Sequence, residues 1–294
     1  MKVTRLPDAE PRPRRVAIGT FDGVHLGHRE VIRGNDTVLT FDPHPLAVVK
    51  PDAAPKLLQS FPIKRDLIAG IGVEELVVIP FNREFSDKSY EQFIEDVLID
   101  KLNATHISVG ENFRFGHAAE GNPEKLSERP EFETRVVPLV EVAGETVSSS
   151  HIRGLVAAGE LETAAEFLGG PFLYEGEVVE GDRRGRELGF PTANIVPEDR
   201  LAYPGHGVYA AWAHGQPAAV NVGVRPTFVT GRGALIEAFL IDFDGDLYGQ
   251  TLRIGFLKRL RGEKRFDSVD ELVAQMHRDV EQAREICSAT VSRR

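Results

Sequence analysis

One glycine-rich segment, Gly19–His28 (GTFDGVHLGH), constrains the fold more than any other part of the chain. It follows the apolar run Val16–Ile18, which is typical of a buried strand, and it precedes Glu30–Ile32, which is typical of the start of a helix. Glycines at such a junction let the backbone approach a phosphate closely, and free N–H groups at a helix N-terminus bind anions. His25 and His28 are about one helical turn apart, so both imidazoles can face the same anion. The segment predicts a phosphate site at the end of a strand; the simpler alternative is a turn that carries two surface histidines.

The bulk properties of the chain exclude several classes of protein. Its 294 residues suffice for two domains of ordinary size. Apolar residues make up 41% of the chain and charged residues 27%, as in globular proteins. The net charge of −10 argues against a general nucleic-acid binder, and no apolar run approaches the length needed to span a bilayer. We therefore expect neither a nucleic-acid nor a membrane partner.

The cellular compartment follows from two further observations. The first fifteen residues contain no apolar segment, so they are not a signal peptide. The single cysteine, Cys287, cannot form an internal disulfide and lies in a helical pattern near the C-terminus. We expect a cytoplasmic protein, with Cys287 a passive helix residue. The choice between a monomer and a homo-oligomer stays open.

The first part of the chain alternates between strand-like and helix-like segments. Strands are expected at Val38–Phe41, Leu76–Ile79 and His106–Val109, and an amphipathic helix between the last two. Ser89 and Gln92 form a capping box for that helix. This alternation predicts an α/β domain with a Rossmann-like parallel sheet, which binds its ligands at the carboxyl ends of the strands.

The second part of the chain is rich in short strands. They follow one another at intervals of about ten residues, which predicts a small antiparallel β-barrel. A terminal helix begins with a capping box of Ser268 and Glu271, and Asp244-Gly245 is interpreted as a hairpin turn. The break at Gly169–Pro171 places the domain boundary, which gives one domain at residues 1–169 and a second at 170–294.

The connection after the histidine pair looks short. Only nine residues, Arg29–Thr37, separate His28 from the strand at Val38. A parallel crossover normally takes a dozen residues or more. The crossover is therefore either truncated or lacks a segment in this sequence.

Three further segments of the first domain belong with the glycine-rich one. Asn112 follows the strand that ends at Val109, and Thr40–Pro45 (TFDPHP) ends another strand at the edge where ligands bind. The segment Ser148–Arg153 (SSSHIR) begins a helix, where hydroxyls, N–H groups and an arginine can hold phosphate oxygens. A purely structural capping role for these serines is the alternative.

Together these motifs resemble the N-terminal half of the prokaryotic bifunctional riboflavin kinase/FMN adenylyltransferase (FAD synthetase) family. One departure is Ser150, where the family has threonine; the hydroxyl is kept. The resemblance implies adenylyl transfer from ATP to FMN with Mg²⁺. His25 and His28 would donate hydrogen bonds to phosphate oxygens, and Asn112 and Arg153 would orient the phosphates. The expected nucleotide-binding residues are Gly19, Phe21, Asp22, Gly27, Ser149 and Ser150.

A second motif, Gly181–Asn194 (GDRRGRELGFPTAN), opens the β-rich part. Its glycines permit a tight loop and its arginines can meet phosphate charge, although a basic surface turn is the alternative. With Asn221–Phe228 and Glu237–Gly249 it resembles the riboflavin kinase module of the same family, so the resemblance covers nearly the whole chain. The expected site residues here are Gly185, Arg186, Gly189 and Pro191 for the nucleotide and Thr192 and Asn194 for Mg²⁺.

Glu237 is the candidate general base of this second site. It shares one face of a strand with Leu235 and Phe239, so its carboxylate is expected to be partly desolvated and suited to take a proton from a riboflavin hydroxyl. A structural carboxylate paired with an arginine is the alternative.

The function expected from these motifs is FAD biosynthesis. Riboflavin and ATP would give FMN, and FMN and ATP would give FAD and pyrophosphate. Two other hypotheses remain at this stage: a riboflavin kinase whose adenylyltransferase domain is impaired by the short crossover, and a flavin- or nucleotide-binding sensor. The expected partners are ATP and flavins.

Overall fold

The computed structural model describes residues 1–181, 188–225 and 233–291. They form two compact units. The first contains residues 1–56 and 64–149, and the second contains residues 57–63 together with the chain from residue 150 onwards.

The first unit is built on a six-stranded sheet in which every neighbouring pair is parallel, with the strand order β1-β4-β3-β2-β5-β6. The expectation of a Rossmann-like α/β domain is confirmed. The strands are β1 (Lys2–Arg5), β2 (Arg14–Ile18), β3 (Thr37–Asp42), β4 (Glu75–Pro80), β5 (Ala104–Gly110) and β6 (Glu133–Val137), with a small hairpin of β7 (Glu141–Val142) and β8 (Glu145–Thr146).

Helices connect these strands. They are α1 (Leu26–Ile32), α2 (Pro45–Val49), α3 (Phe61–Ala69), α4 (Arg83–Ser86), α5 (Tyr90–Gln92, continued by a π-helical segment over Phe93–Lys101) and α6 (Pro123–Ser127), with short 3₁₀ turns at Leu6–Asp8, Pro51–Ala53 and His117–Ala119.

The connection between β2 and β3 is of ordinary length. It runs over residues 19–36 and contains α1, which begins at Leu26, before His28 rather than after it. The concern about a truncated crossover was therefore wrong, because the helix starts inside the histidine motif. The whole connection exceeds the dozen residues that a parallel crossover needs.

The second unit is built on a six-stranded antiparallel sheet with the order β10-β13-β12-β11-β14-β9. An isolated bridge between Val179 and Asn194 joins the regions of the two edge strands, as expected for a small barrel. The strands are β9 (Phe172–Glu177), β10 (Ala193–Ile195), β11 (Gly207–Ala213), β12 (Gln216–Arg225), β13 (Gly233–Leu240) and β14 (Thr251–Arg261), and the helices are α7 (Ser149–Ala158), α8 (Leu161–Leu168) and α9 (Val269–Val291).

The predicted hairpin at Asp244-Gly245 is wrong. The strands on either side of this loop, β13 and β14, do not pair with each other; β13 lies between β10 and β12, and β14 between β11 and β9. The loop over residues 241–250 thus crosses from one part of the barrel to another.

The long helix α9 lies against the barrel. Its N-terminus is capped as predicted, because the Glu271 N–H donates to Ser268 Oγ at 3.2 Å. Val280 and Ala283 are buried against Ala210 and Ala219 of the sheet. Among the described residues, no helix is long and apolar enough to cross a bilayer.

Candidate functional site

A cavity of about 780 Å³ opens in the first unit at the carboxyl ends of the parallel strands. Residues at or just beyond the ends of five neighbouring strands line it: Ile18, Phe41, Phe81, Gly110 and Val137. The chain order reverses at β2, which has β3 on one side and β5 on the other, and ligands of open α/β sheets bind at such a point. The predicted site residues Gly19, Phe21, His25, Gly27, His28, Asn112 and Ser149 all line this cavity.

The two imidazoles lie directly on each other. Their ring centroids are 3.5 Å apart and the rings are nearly parallel, at 15°. His25 caps α1, since its Nδ1 accepts the His28 backbone N–H at 3.2 Å. This bond leaves the hydrogen of a neutral His25 on Nε2, which fixes which nitrogen can donate. The ring of Phe21 packs edge-on against His28, with centroids 5.4 Å apart.

Both imidazoles are held neutral near pH 7. Burial lowers the pKa of His25 from 6.5 to about 4. Burial, followed by the charges of His25 and Lys64, keeps the pKa of His28 well below its usual value. Within the described residues, His28 Nδ1 is buried without a hydrogen-bond partner. A buried acceptor without a partner is less costly than a buried donor, which favours the hydrogen on Nε2 here as well.

Two of the predicted glycines have a packing reason. A Cβ on Gly19 would lie 3.0 Å from the Phe21 ring, and a Cβ on Gly27 would lie 3.3 Å from His25 Cε1. Either methyl group would be tighter than an ordinary contact. Because they lack a Cβ, Gly19 and Gly27 allow the rings of Phe21 and His25 to pack directly against the backbone.

Asp22, Ser150 and Arg153, which were also predicted for this site, are not among the described residues that line the cavity. Asp22 is buried, and its backbone carbonyl accepts the Ser149 hydroxyl at 2.8 Å. Ser150 and Arg153 stand further along α7 and are grouped with the second unit; Arg153 Nη1 lies 3.4 Å from Ser150 Oγ.

The cavity lining has two features that the motifs did not reveal. Its cationic side chains are Lys50, Arg83, Lys88 and Arg114, whereas Asp87 is the acidic one among the described lining residues. This balance suits anionic ligands in spite of the negative net charge of the chain. The other feature is an aromatic wall, in which the centroids of neighbouring rings are 5.3–6.3 Å apart. Its residues are Phe41, Phe81, Phe85, Phe93, Phe113 and Phe115.

In the second unit, three polar side chains are placed in one row across three strands. Asn194 of β10 and Asn221 of β12 are both the register partners of Glu237 on β13. Asn221 Nδ2 donates to Glu237 Oε2 at 3.0 Å, so the carboxylate has an amide partner. Sequence reasoning missed Asn221 as a site residue, although it begins one of the motifs; strand register is the signal that identifies it.

Thr192 and Asn194 lie together at the start of β10. Asn194 is buried, and its Nδ2 donates to the Thr192 carbonyl at 3.2 Å. The amide oxygen is therefore the Asn194 atom available to a ligand. A hydroxyl, an amide oxygen and the nearby Glu237 carboxylate are hard oxygen donors, which fit Mg²⁺. Gly189, with φ of 86°, and Pro191 precede them, while Gly185 and Arg186 lie outside the described residues.

Comparisons with known proteins match both units. The family described as FAD synthetase matches residues 8–151, and the family described as riboflavin kinase matches residues 168–287. The bifunctional riboflavin kinase/FMN adenylyltransferase of Escherichia coli (strain K12) is 36% identical over 293 residues, which cover 94% of this chain and 93% of that protein. The protein of the same name from Bacillus subtilis (strain 168) is 36% identical over 288 residues, 91% of this chain and 90% of that protein.

A solved structure has the same architecture along almost the whole chain. It is a crystal structure described as a macrolide-efflux protein from Streptococcus pneumoniae, with 32% identity and a TM-score of 0.86, and the match covers 97% of this chain and 99% of that one. Two family matches, one for each part of the chain, and relatives matched over at least 90% of their own length thus point to the same family. The chain belongs to the bifunctional riboflavin kinase/FMN adenylyltransferase family, whose members phosphorylate riboflavin to FMN and adenylylate FMN to FAD.

Proposed function

We propose that the cavity of the first unit carries out the adenylyl transfer and that the row around Glu237 carries out the kinase reaction. The supporting observation is the stacked pair of neutral imidazoles at the strand ends, in a cavity with a cationic lining. We assign the first activity to residues 1–169 and the second to residues 170–294. Helices α7 and α8 precede that boundary, although their contacts group most of them with the second unit.

In the first reaction a phosphate oxygen of FMN attacks the α-phosphorus of ATP, and pyrophosphate leaves. Catalysis then consists mainly of alignment and of stabilising the charge that develops on the phosphate oxygens. His25 and His28 donate from Nε2 to these oxygens. Asn112 and Arg153 orient the phosphates, with Gly19, Phe21, Asp22, Gly27, Ser149 and Ser150 forming the surrounding nucleotide site.

The aromatic wall gives the flavin a place in the same cavity. Rings such as Phe113 and Phe115, which are stacked at 18°, offer flat apolar surface to the isoalloxazine ring. Arg83 and Lys88 carry charge that attracts the FMN phosphate.

In the second reaction the ribityl hydroxyl of riboflavin attacks the γ-phosphorus of ATP, and ADP leaves. Glu237 accepts the hydroxyl proton, and Asn221 holds the carboxylate in position. Thr192 and Asn194 would hold Mg²⁺, which would supply positive charge to the ATP phosphates. Gly185, Arg186, Gly189 and Pro191 surround the nucleotide. We place the enzyme in the cytoplasm, consistent with its single buried cysteine.

The test is an assay of the purified chain with riboflavin, ATP and Mg²⁺, in which the flavins are separated by chromatography. Wild type should give both FMN and FAD. His28→Ala should stop FAD formation while FMN accumulates, because one donor to the transition state is lost. Undiminished FAD from His28→Ala would exclude the proposed role of the histidine pair.

A further inference from the structure

Lys64 is a buried lysine that the reactions above do not use. It lies in α3 with 7% of its surface exposed, and its Nζ donates to the backbone carbonyl of Thr20 at 2.9 Å. Burial lowers the pKa of Lys64, and the carboxylates of Asp22 and Asp42 act in the opposite direction. Removing an ammonium group from water is costly, so its presence here suggests a role beyond packing.

The carbonyl that Lys64 binds belongs to a strained turn. Thr40 Oγ1 also donates to it, at 3.2 Å. The next residue, Phe21, has φ of 49°, and the β-branched Val24 has φ of 42°. Residues other than glycine rarely adopt these backbone angles, and such strain persists where the surrounding structure imposes it. Lys64 and Thr40 together fix the peptide that precedes Phe21.

Phe21 transmits this constraint to the histidine pair. Its ring is 1% exposed and packs edge-on against His28 at 86°. Among the described residues that line the cavity, Thr20, Phe21 and His28 are present and Lys64 is not. Lys64 therefore reaches the site through other residues and not by contact with a substrate.

We propose that Lys64 is a positioning residue for adenylyl transfer, whose ammonium holds the Thr20 carbonyl and thereby fixes Phe21 and His28 for the phosphates of ATP. This inference rests on the function proposed for the histidine pair. In the reaction a bond forms between an FMN phosphate oxygen and the α-phosphorus of ATP, and the bond from the α-phosphorus to the oxygen of the leaving pyrophosphate breaks. Lys64 exchanges no proton.

The test compares Lys64→Met with Arg65→Met in the full-length chain. Arg65 is the next residue of the same helix, is exposed and pairs with Asp66, so its loss removes the same charge away from the turn. Lys64→Met should lower kcat for FMN adenylylation about 10- to 100-fold with little change in KM, since small misplacements of catalytic groups have effects of this size. Riboflavin phosphorylation should be unchanged in both variants, and Arg65→Met should adenylylate as wild type.

Imidazole NMR separates positioning from local unfolding. In Lys64→Met the pKa of His28 should rise, because the Lys64 charge no longer opposes protonation, while His25 should still titrate near 4. The charged groups that act on Lys64 are Asp22 and Asp42, and those that act on His28 are Lys64 and the protonated form of His25. If both histidines of Lys64→Met titrated with the pKa of a free imidazole, near 6.5, the turn would have unfolded, and this result would overturn the inference.

Two kinetic outcomes also decide the matter. Wild-type kcat in Lys64→Met, or an equal loss in Arg65→Met, would overturn the role of Lys64. His28→Ala serves as the reference. If His28→Ala still forms FAD, the proposed function itself fails; if His28→Ala is inactive and Lys64→Met is active, the Lys64 inference alone fails.

Discussion

At the scale of single residues, His25 does two things at once. Its Nδ1 completes the N-terminus of α1, and its ring lines the cavity where phosphates are proposed to bind. Protonation of His25 would remove the acceptor for the His28 N–H and add a charge to a residue that is 5% exposed. The helix cap and the proposed chemistry therefore require the same neutral form.

This requirement predicts a pH dependence of stability. In the folded chain the pKa of His25 is about 4, against 6.5 for a free imidazole, so the unfolded chain binds more protons between these values. The contribution of neutral His25 to the free energy of unfolding should be fully present above pH 6.5. It should be lost as the pH drops towards 4, and the loss should amount to about 3 kcal/mol. His25→Asn, which keeps a capping oxygen, should lose correspondingly less in urea titrations followed by circular dichroism.

The control for this prediction is His117→Asn. His117 is an exposed histidine of the same unit, with 61% of its side chain accessible. Its removal should leave the pH dependence of unfolding as in wild type. Identical pH profiles for His25→Asn and wild type would contradict the assigned cause.

At the scale of elements, sequence periodicity was informative where one face of an element is buried. The strands and the capping box of Ser89 and Gln92 appear where the alternation and the cap residues predicted them. The helix that begins at Tyr90 was harder to predict from the sequence. It continues as a π-helix, in which Leu102 N–H donates to Val97 O, five residues back. An apolar stripe does not distinguish this hydrogen-bond pattern from an α-helix.

Long-range pairing was the part that local patterns could not supply. Asp244-Gly245 has the composition of a tight turn, but the partners of β13 and β14 are set by the barrel. For the same reason the pairing of Glu237 with Asn221, and the position of Lys64 beneath the Thr20 carbonyl, follow from tertiary structure. The histidine pair was predictable because its members are neighbours in sequence.

The attachment of α9 to the barrel gives an element-scale prediction. Asp279 of α9 is 3% exposed and accepts from Arg261 Nε at 3.0 Å and Nη2 at 2.8 Å. Asp279→Asn leaves the arginine without its counter-charge and should destabilise the second unit by about 1–3 kcal/mol. Trp212, the single tryptophan, lies in β11 and reports urea unfolding of this unit by fluorescence.

Glu281→Gln is the matched variant for this measurement. Glu281 is on the same helix, but its side chain is 67% exposed, and surface ion pairs contribute little. The urea midpoint should stay at the wild-type value. A shift as large as that of Asp279→Asn would show that general charge on α9 matters more than the buried pair.

At the scale of the whole molecule, the cavity with the histidine pair and the row around Glu237 lie in different compact units. Glu237→Gln keeps the shape of the side chain and its contact with Asn221 but removes the base. It should abolish formation of FMN from riboflavin and leave adenylylation of supplied FMN intact, since the latter does not need this carboxylate. Chromatography of the flavins with each substrate measures both activities in one preparation.

Glu177→Gln provides the comparison for a neutralised carboxylate on the barrel. Glu177 is exposed at the end of β9, and both activities should survive its replacement. If Glu237→Gln abolished both reactions, the two centres would not be independent.

The short segment 57–63 gives the chain an unusual order of assembly. It is made early but packs with residues made much later: the Ser60 hydroxyl bonds to Glu175, which follows 115 positions downstream, and Leu57 N–H donates to Arg200 O at 2.8 Å. This segment can therefore make its folded-state contacts only after residues 175 and 200 have been synthesised. If the gene were divided between codons 149 and 150, segment 57–63 would belong to the N-terminal fragment and its packing partners to the C-terminal fragment. The two fragments are therefore not independently exchangeable domains.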